Sequence, residues 1–143
     1  MRGLPSRPLT TTVTVAATGG ADADEVWQRY SVPARWSQWS PQISRVECPH
    51  PSAGVEPGLR GVVHGPAGVT VRFTVTDVDV GARRWSWEVA AGLARLQMRH
   101  GVDDAAGSAR AWVRITGALP LVVAYAPAAR LALGRLVADR MPT

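Results

Sequence analysis

Any chemistry in this 143-residue chain must come from a short list of side chains: three histidines, one cysteine, eleven carboxylates and sixteen basic residues, all arginine. His100 is the most informative. It has the strand parity of Leu96 and Met98, so its imidazole is expected on an apolar face. Burial there would lower its pKa and keep it neutral at pH 7, available as a general base or acid. The competing reading is a core histidine satisfied by a backbone carbonyl or by Tyr125. His64 ends a strand beside Gly65-Pro66 and is expected at the surface, and His50, between Pro49 and Pro51, is loop.

Most other chemistry is excluded by what is missing. The three histidines lack metal-ligand spacing, and Cys48 lies two residues from His50 without further partners, so no metal site is expected. A single cysteine rules out an internal disulfide or a CxxC motif and fits a reducing compartment. Only His50 is near enough in sequence to activate Cys48, which makes covalent catalysis a poor reading. Without lysine there is no Schiff base and no P-loop lysine. GxSxG, GxGxxG and HExxH sequences are also absent. Glu88 alternates away from Trp85 and Trp87, while Asp77 and Asp79 read as turn acids, so no carboxylate pair is placed for glycosidase-type work. The chain therefore reads as cofactor-free. A net charge of +5 raises the question of nucleic acid, but the arginines are scattered and only Arg83 and Arg84 are adjacent. No nucleic-acid partner is expected.

The elements that must position these groups follow from periodicity. Hydrophobic residues at 46% and charged residues at 19% describe a folded chain, and the length suits one domain over 1–143. Residues 1–9, with prolines at 5 and 8 and no apolar core, read as a loose N-terminal arm rather than a signal peptide. The apolar stretch over 118–129 meets Arg130 and Arg135 and is too short to span a bilayer. Membrane insertion is not expected, and the cytoplasm is the expected location.

Alternation over 10–16 predicts a strand. Asp22 or Asp24 can cap a helix carrying Val26, Trp27 and Tyr30, and Pro33 suits the first turn of a second short helix ending at Trp39. Six further strands are predicted over 43–48, 59–64, 69–80, 84–90, 93–102 and 109–116, with Asp104–Gly107 among the separating turns. The period then changes. A helix is predicted over 121–139, apolar nearly all round, with Pro127 kinking it or marking its true start. The order strand, two short helices, six strands, long helix is that of an α+β domain: an antiparallel sheet with a helix over its apolar face.

Three passages in that order resemble the START-related superfamily abbreviated SRPBCC, especially its polyketide cyclase/dehydrase-like branch. The first is Asp24-Glu25-Val26-Trp27 followed by Arg35-Trp36-Ser37-Gln38-Trp39-Ser40-Pro41-Gln42-Ile43. The second is Pro57-Gly58, then Val71-Arg72-Phe73-Thr74-Val75-Thr76-Asp77-Val78 and Arg84-Trp85-Ser86-Trp87. The third is Arg99-His100-Gly101-Val102, then a turn, a strand and the terminal helix. The resemblance implies a helix-grip fold: a curved antiparallel sheet of about seven strands around the C-terminal helix, with a cavity between them. Members of the superfamily bind lipids, sterols, polyketides or plant hormones, and some only carry their ligand.

With such a cavity, the alternation turns Phe73, Trp85, Trp87, Met98 and His100 inward, Tyr125 joins them from the helix, and Trp36 and Trp39 stand near the mouth. Arg60 shares parity with Val62 and His64; it either faces the mouth, where it would hold a carboxylate or enolate oxygen, or lies on a solvated edge. The expected function is binding of a small hydrophobic molecule of polyketide or lipid type. One alternative is a cofactor-free cyclase or dehydrase in which His100 takes and returns a proton, as aldol cyclisation and dehydration require. Another is an interaction module using the basic surface. Oligomeric state is left open, a homodimer being one arrangement.

Overall fold

A computed structural model describes residues 10–139; the N-terminal arm read over 1–9 lies outside the described residues. The chain opens on strand β1 (Thr10–Gly19), followed by helix α1 (Ala23–Ser31), a 3-10 turn at Pro33–Arg35 and helix α2 (Trp36–Trp39). Strands β2 (Arg45–Glu47), β3 (Arg60–His64), β4 (Thr70–Asp79), β5 (Arg84–Ala91), β6 (Ala94–Ala105) and β7 (Ser108–Ala118) come next. Helix α3 (Leu119–Leu136) closes the chain. The strands form one antiparallel sheet in the order β1-β7-β6-β5-β4-β3-β2. The expected α+β helix-grip arrangement is therefore the observed one.

Residue chemistry explains where the elements begin and end. Asp22 caps α1 by accepting a hydrogen bond from the Glu25 backbone N–H at 2.9 Å, satisfying one of the unpaired donors of the first turn. Val26 and Tyr30, one turn apart, are both buried against the sheet. In β4 the alternation does not run cleanly to Val80, because a bulge shifts the register between Val75 and Asp77. Val71, Phe73 and Val75 face inward before it; afterwards the parity reverses, and Val78 lies opposite Trp85. The extra residue bends the strand and helps curl the sheet.

The turn expected over 104–107 is tighter than the sequence implied. β6 continues through Asp103, Asp104 and Ala105, and only Ala106 and Gly107 turn, with φ of 52° and 91°. Positive φ at both central residues gives a primed hairpin turn, whose twist matches the flanking strands. Asp103 is sustained within the strand by ion pairs to Arg84 at 2.7 Å and Arg110 at 3.5 Å.

Two features of α3 differ from the pattern in the sequence. Pro127 neither starts nor ends the helix. The carbonyl it leaves unpartnered is that of Val123; both residues are exposed, so water reaches it. Nor is the helix buried all round: Val122, Ala129, Ala132, Leu133 and Leu136 are buried, whereas Val123 and Leu131 are exposed. By length and a mean hydropathy of 1.2, α3 is apolar enough to cross a membrane. In this fold its buried stripe covers the sheet.

The C-terminal end of α3 is clamped by α1. Arg29, only 4% exposed, donates to the carbonyls of Leu136 at 2.8 Å and Ala138 at 2.7 Å, placing a cation where the helix has unpaired acceptors. Glu25 accepts from Arg29 at 3.0 Å and Arg35 at 2.9 Å. Burial raises the Glu25 pKa, but its two arginine partners outweigh that and hold the carboxyl below the usual carboxylate range.

Candidate functional site

The space between sheet and helix has two parts. The larger is a cavity of about 430 Å³ towards the start of α3, walled by Val63, Val71, Val89 and Leu96 from the sheet and by Leu121, Ala124 and Tyr125 from the helix. Beyond it, deeper under α1 and α2, lies a space of about 40 Å³ bounded by Tyr30, Trp36, Trp39, Trp85 and His100. Gln42, Ile43, Trp87, Met98 and Tyr125 line both and form the neck between them.

Much of the inner end is filled by the protein's own rings. Trp36 stacks on Trp85 with centroids 5.6 Å apart and planes 6° from parallel, and Trp85 stacks on His100 at 4.0 Å and 18°. Tyr30 meets Trp39, Trp85 and His100 edge-on at 5.6, 6.0 and 5.0 Å. Edge-to-face and offset contacts of this kind are the favourable aromatic geometries.

The four indole N–H groups of this region divide in two. Trp36 Nε1 donates to the Tyr30 carbonyl and Trp39 Nε1 to the Arg29 carbonyl, both at 2.9 Å. They thereby satisfy acceptors in the last turn of α1, where no intrahelical donor remains. Trp85 Nε1 and Trp87 Nε1 are buried with no partner among the described residues.

His100 sits at the end of a relay that fixes its tautomer. Tyr30 donates its hydroxyl proton to the Trp112 carbonyl at 3.0 Å. That hydroxyl lies 2.8 Å from His100 Nδ1, and while its single proton is given to the Trp112 carbonyl it accepts there. In that arrangement the His100 proton is on Nδ1 and Nε2 presents a lone pair; Nε2 is buried and unpartnered. Burial lowers the His100 pKa to about 3, so the imidazole is neutral at pH 7. Burial also raises the Tyr30 and Tyr125 hydroxyls above the usual tyrosine value, keeping both protonated as donors. Gln42 Nε2 donates to the Tyr125 hydroxyl at 3.4 Å, and Gln42 Oε1 is buried without a partner.

Residues 10–141 match the family described as polyketide cyclase / dehydrase and lipid transport. The chain belongs to that family. No curated protein matches it in sequence. Among solved structures, hypothetical protein jhp0584 from Helicobacter pylori is similar with a TM-score of 0.72 at 14% identity, over 91% of this chain and 86% of that one. Truncated norcoclaurine synthase from Thalictrum flavum is similar with a TM-score of 0.64 at 13% identity, over 94% of each chain. CalU16 from Micromonospora echinospora has a TM-score of 0.67 at 12% identity, over 88% of this chain and 71% of that one. At these identities the likeness is one of fold.

In this polyketide cyclase / dehydrase family member, the residues expected around a ligand fall in four places. Trp87, Met98 and Tyr125 line the neck and the larger cavity. Trp36, Trp39, Trp85 and His100 border the inner space only, so Trp36 and Trp39 are at the deep end rather than at the mouth. Their anchoring to α1 carbonyls, invisible in the sequence, draws them inward. Phe73 borders neither space. Its ring lies over Gly61, where a Cβ would stand 2.6 Å from Phe73 Cζ, and packs 5.6 Å from Trp36 and 5.2 Å from Trp87.

Arg60 is on the other side of the sheet. The register pairs Gly61 with Phe73 and Val63 with Val71, so the inward residues of β3 are Gly61 and Val63. Arg60, Val62 and His64 consequently face outward, with Arg72 and Thr74. The placement of Arg60 at the cavity mouth is thereby corrected: Val62 is an outward valine, and its parity was misleading. His64 lies 3.0 Å from Glu47, an outer-face ion pair when protonated. Cys48 is half-buried, its thiol pKa raised by burial, and no metal-binding group of acidic, histidine or cysteine side chains occurs among the described residues. Gln42, Tyr30 and Val63 belong to the site but carried no signal as ligand contacts in the sequence. Only the four-residue spacing of Val26 and Tyr30 marked the tyrosine, and then as core.

Proposed function

We propose that this protein binds one small, largely apolar molecule in the space between its sheet and α3. The observation that supports this best is the 430 Å³ cavity, whose wall is aliphatic and aromatic apart from Gln42, the Tyr125 hydroxyl and the exposed Arg95. That volume and lining suit a ligand of two to four fused or linked rings, or a short branched lipid. Norcoclaurine synthase is, by its name, an enzyme on a similar fold, but acid–base catalysis here would rest on His100. A base whose pKa is about 3 is poorly matched to work near neutrality, where efficient proton transfer wants a value near the working pH. Binding is therefore the reading favoured over turnover.

The uncharged fluorophore N-phenyl-1-naphthylamine tests it. Titration should give saturable emission enhancement with one site per chain, accompanied by quenching of Trp87 at the neck. Ala124→Trp fills the outer cavity from the helix side and should weaken binding by about tenfold or more, the effect of about 1.4 kcal/mol of steric conflict. Absence of saturable binding, or binding indifferent to Ala124→Trp, would overturn the proposal.

A further inference from the structure

We infer that the inner end of the cavity reads a hydroxyl group. On the binding reading above, the ligand is an apolar molecule with one phenolic or alcoholic O–H at its leading end. That O–H donates to His100 Nε2 and accepts from the indole N–H of Trp85 or Trp87.

Three observations converge on this. First, the relay Trp112 carbonyl, Tyr30 hydroxyl, His100 Nδ1 leaves Nε2 able only to accept. Second, the side chains that carry that lone pair and the two indole donors line the same 40 Å³ space, and none of the three atoms has a partner among the described residues. Their side chains are more than nine-tenths buried, with His100 6%, Trp85 2% and Trp87 8% exposed. Buried polar atoms are rarely left unpaired, because each loses its hydrogen bonds to water without replacement. Third, the space adjoins the larger cavity through Trp87, Met98 and Tyr125, and it admits a group of one or two heavy atoms but not a ring. Met98, unbranched and flexible, can yield at that neck.

The chemistry then selects among functional groups. A carbonyl or ether oxygen could accept from an indole but would leave the imidazole lone pair facing an acceptor. An ammonium could donate to Nε2, yet would bring a full charge into an apolar chamber with no anion beside it. A carboxylate would bring an unpaired negative charge against the imidazole lone pair. A neutral hydroxyl both donates and accepts, and so satisfies the two kinds of wall together.

Paired probes separate this inference from the binding reading on which it rests. 2-Naphthol and 2-methoxynaphthalene share a ring system and an oxygen, but only the former has a proton to donate. 2-Naphthol should bind about tenfold more tightly, as expected when a buried acceptor gains its hydrogen bond. His100→Phe, which keeps a flat ring but lacks the lone pair, should erase the difference. If that variant fails to fold, nitrogen-15 spectra of the native protein decide: the bare Nε2 resonance of His100 should shift upfield with 2-naphthol and stay in place with the ether. Equal affinities, or a stationary resonance with 2-naphthol bound, would overturn the hydroxyl assignment while leaving the cavity reading intact. If neither probe binds, the cavity reading falls and the hydroxyl assignment with it.

Discussion

Replacing Tyr30 by Phe removes one oxygen and tests the relay on which the site is built. The hydroxyl joins two buried groups, donating to the Trp112 carbonyl at 3.0 Å and accepting from His100 Nδ1 at 2.8 Å. Without it His100 Nδ1 loses its partner in a region closed to solvent, Tyr30 itself being 1% exposed, while the Trp112 carbonyl keeps its place in the ladder of β7. The orphaned group costs about 1–3 kcal/mol, and the dehydration of the lost hydroxyl offsets part of it, so a destabilisation of about 1–2 kcal/mol is expected. For a chain of this length that lowers Tm by about 2–8 °C. Urea unfolding followed by tryptophan emission should show the midpoint fall with the slope unchanged, since the exposed area is the same. In the folded variant Nδ1 no longer has an acceptor, so nitrogen-15 spectra should show both His100 tautomers. A loss below about 0.5 kcal/mol, or a His100 that keeps one tautomer, would refute the argument that Tyr30 holds the proton on Nδ1.

Arg29→Met keeps the aliphatic stem but frees the carbonyls at the end of α3; a loss of about 2–4 kcal/mol is expected by urea unfolding, with Arg29→Lys recovering part of it. His100, neutral when folded down to about pH 3 but protonated from about 6.5 downward when unfolded, gives a pH dependence of known sign. The unfolded state binds the extra proton, so stability is complete above pH 6.5 and falls by about 1.4 kcal/mol per pH unit as pH drops towards 3. Comparing native protein with His100→Phe between pH 5 and 6.5 isolates this slope, because the depressed carboxyl of Glu25 titrates only in more acid solution. A variant with an undiminished slope would remove His100 as its source. Ala106→Asn, at a position with φ of 52°, should raise stability by about 0.5–1 kcal/mol, since asparagine tolerates the left-handed region that a primed turn requires. Thermal unfolding would register it, and a lower Tm would contradict the turn assignment.

Local chemistry determined most of the architecture of this chain. Strand alternation in Trp85-Ser86-Trp87 and Leu96-Gln97-Met98, the cap at Asp22 and the change of period after Gly117 are set by residues within a few positions of one another, so the sequence displays them directly. The inward direction of His100 was legible for the same reason. Partners distant along the chain were not. Arg60 appeared to share a face with a buried valine, and only the register against β4 shows that Gly61 and Val63 are the inward pair. Trp36 and Trp39 lie deep because their N–H groups meet carbonyls of α1, and a backbone acceptor leaves no mark in the amino-acid code. The tautomer of His100 depends on Tyr30, 70 residues away, and on the carbonyl of Trp112. Alternation states which way a side chain points; what it meets there is decided by packing between elements brought together only when the sheet curls around α3.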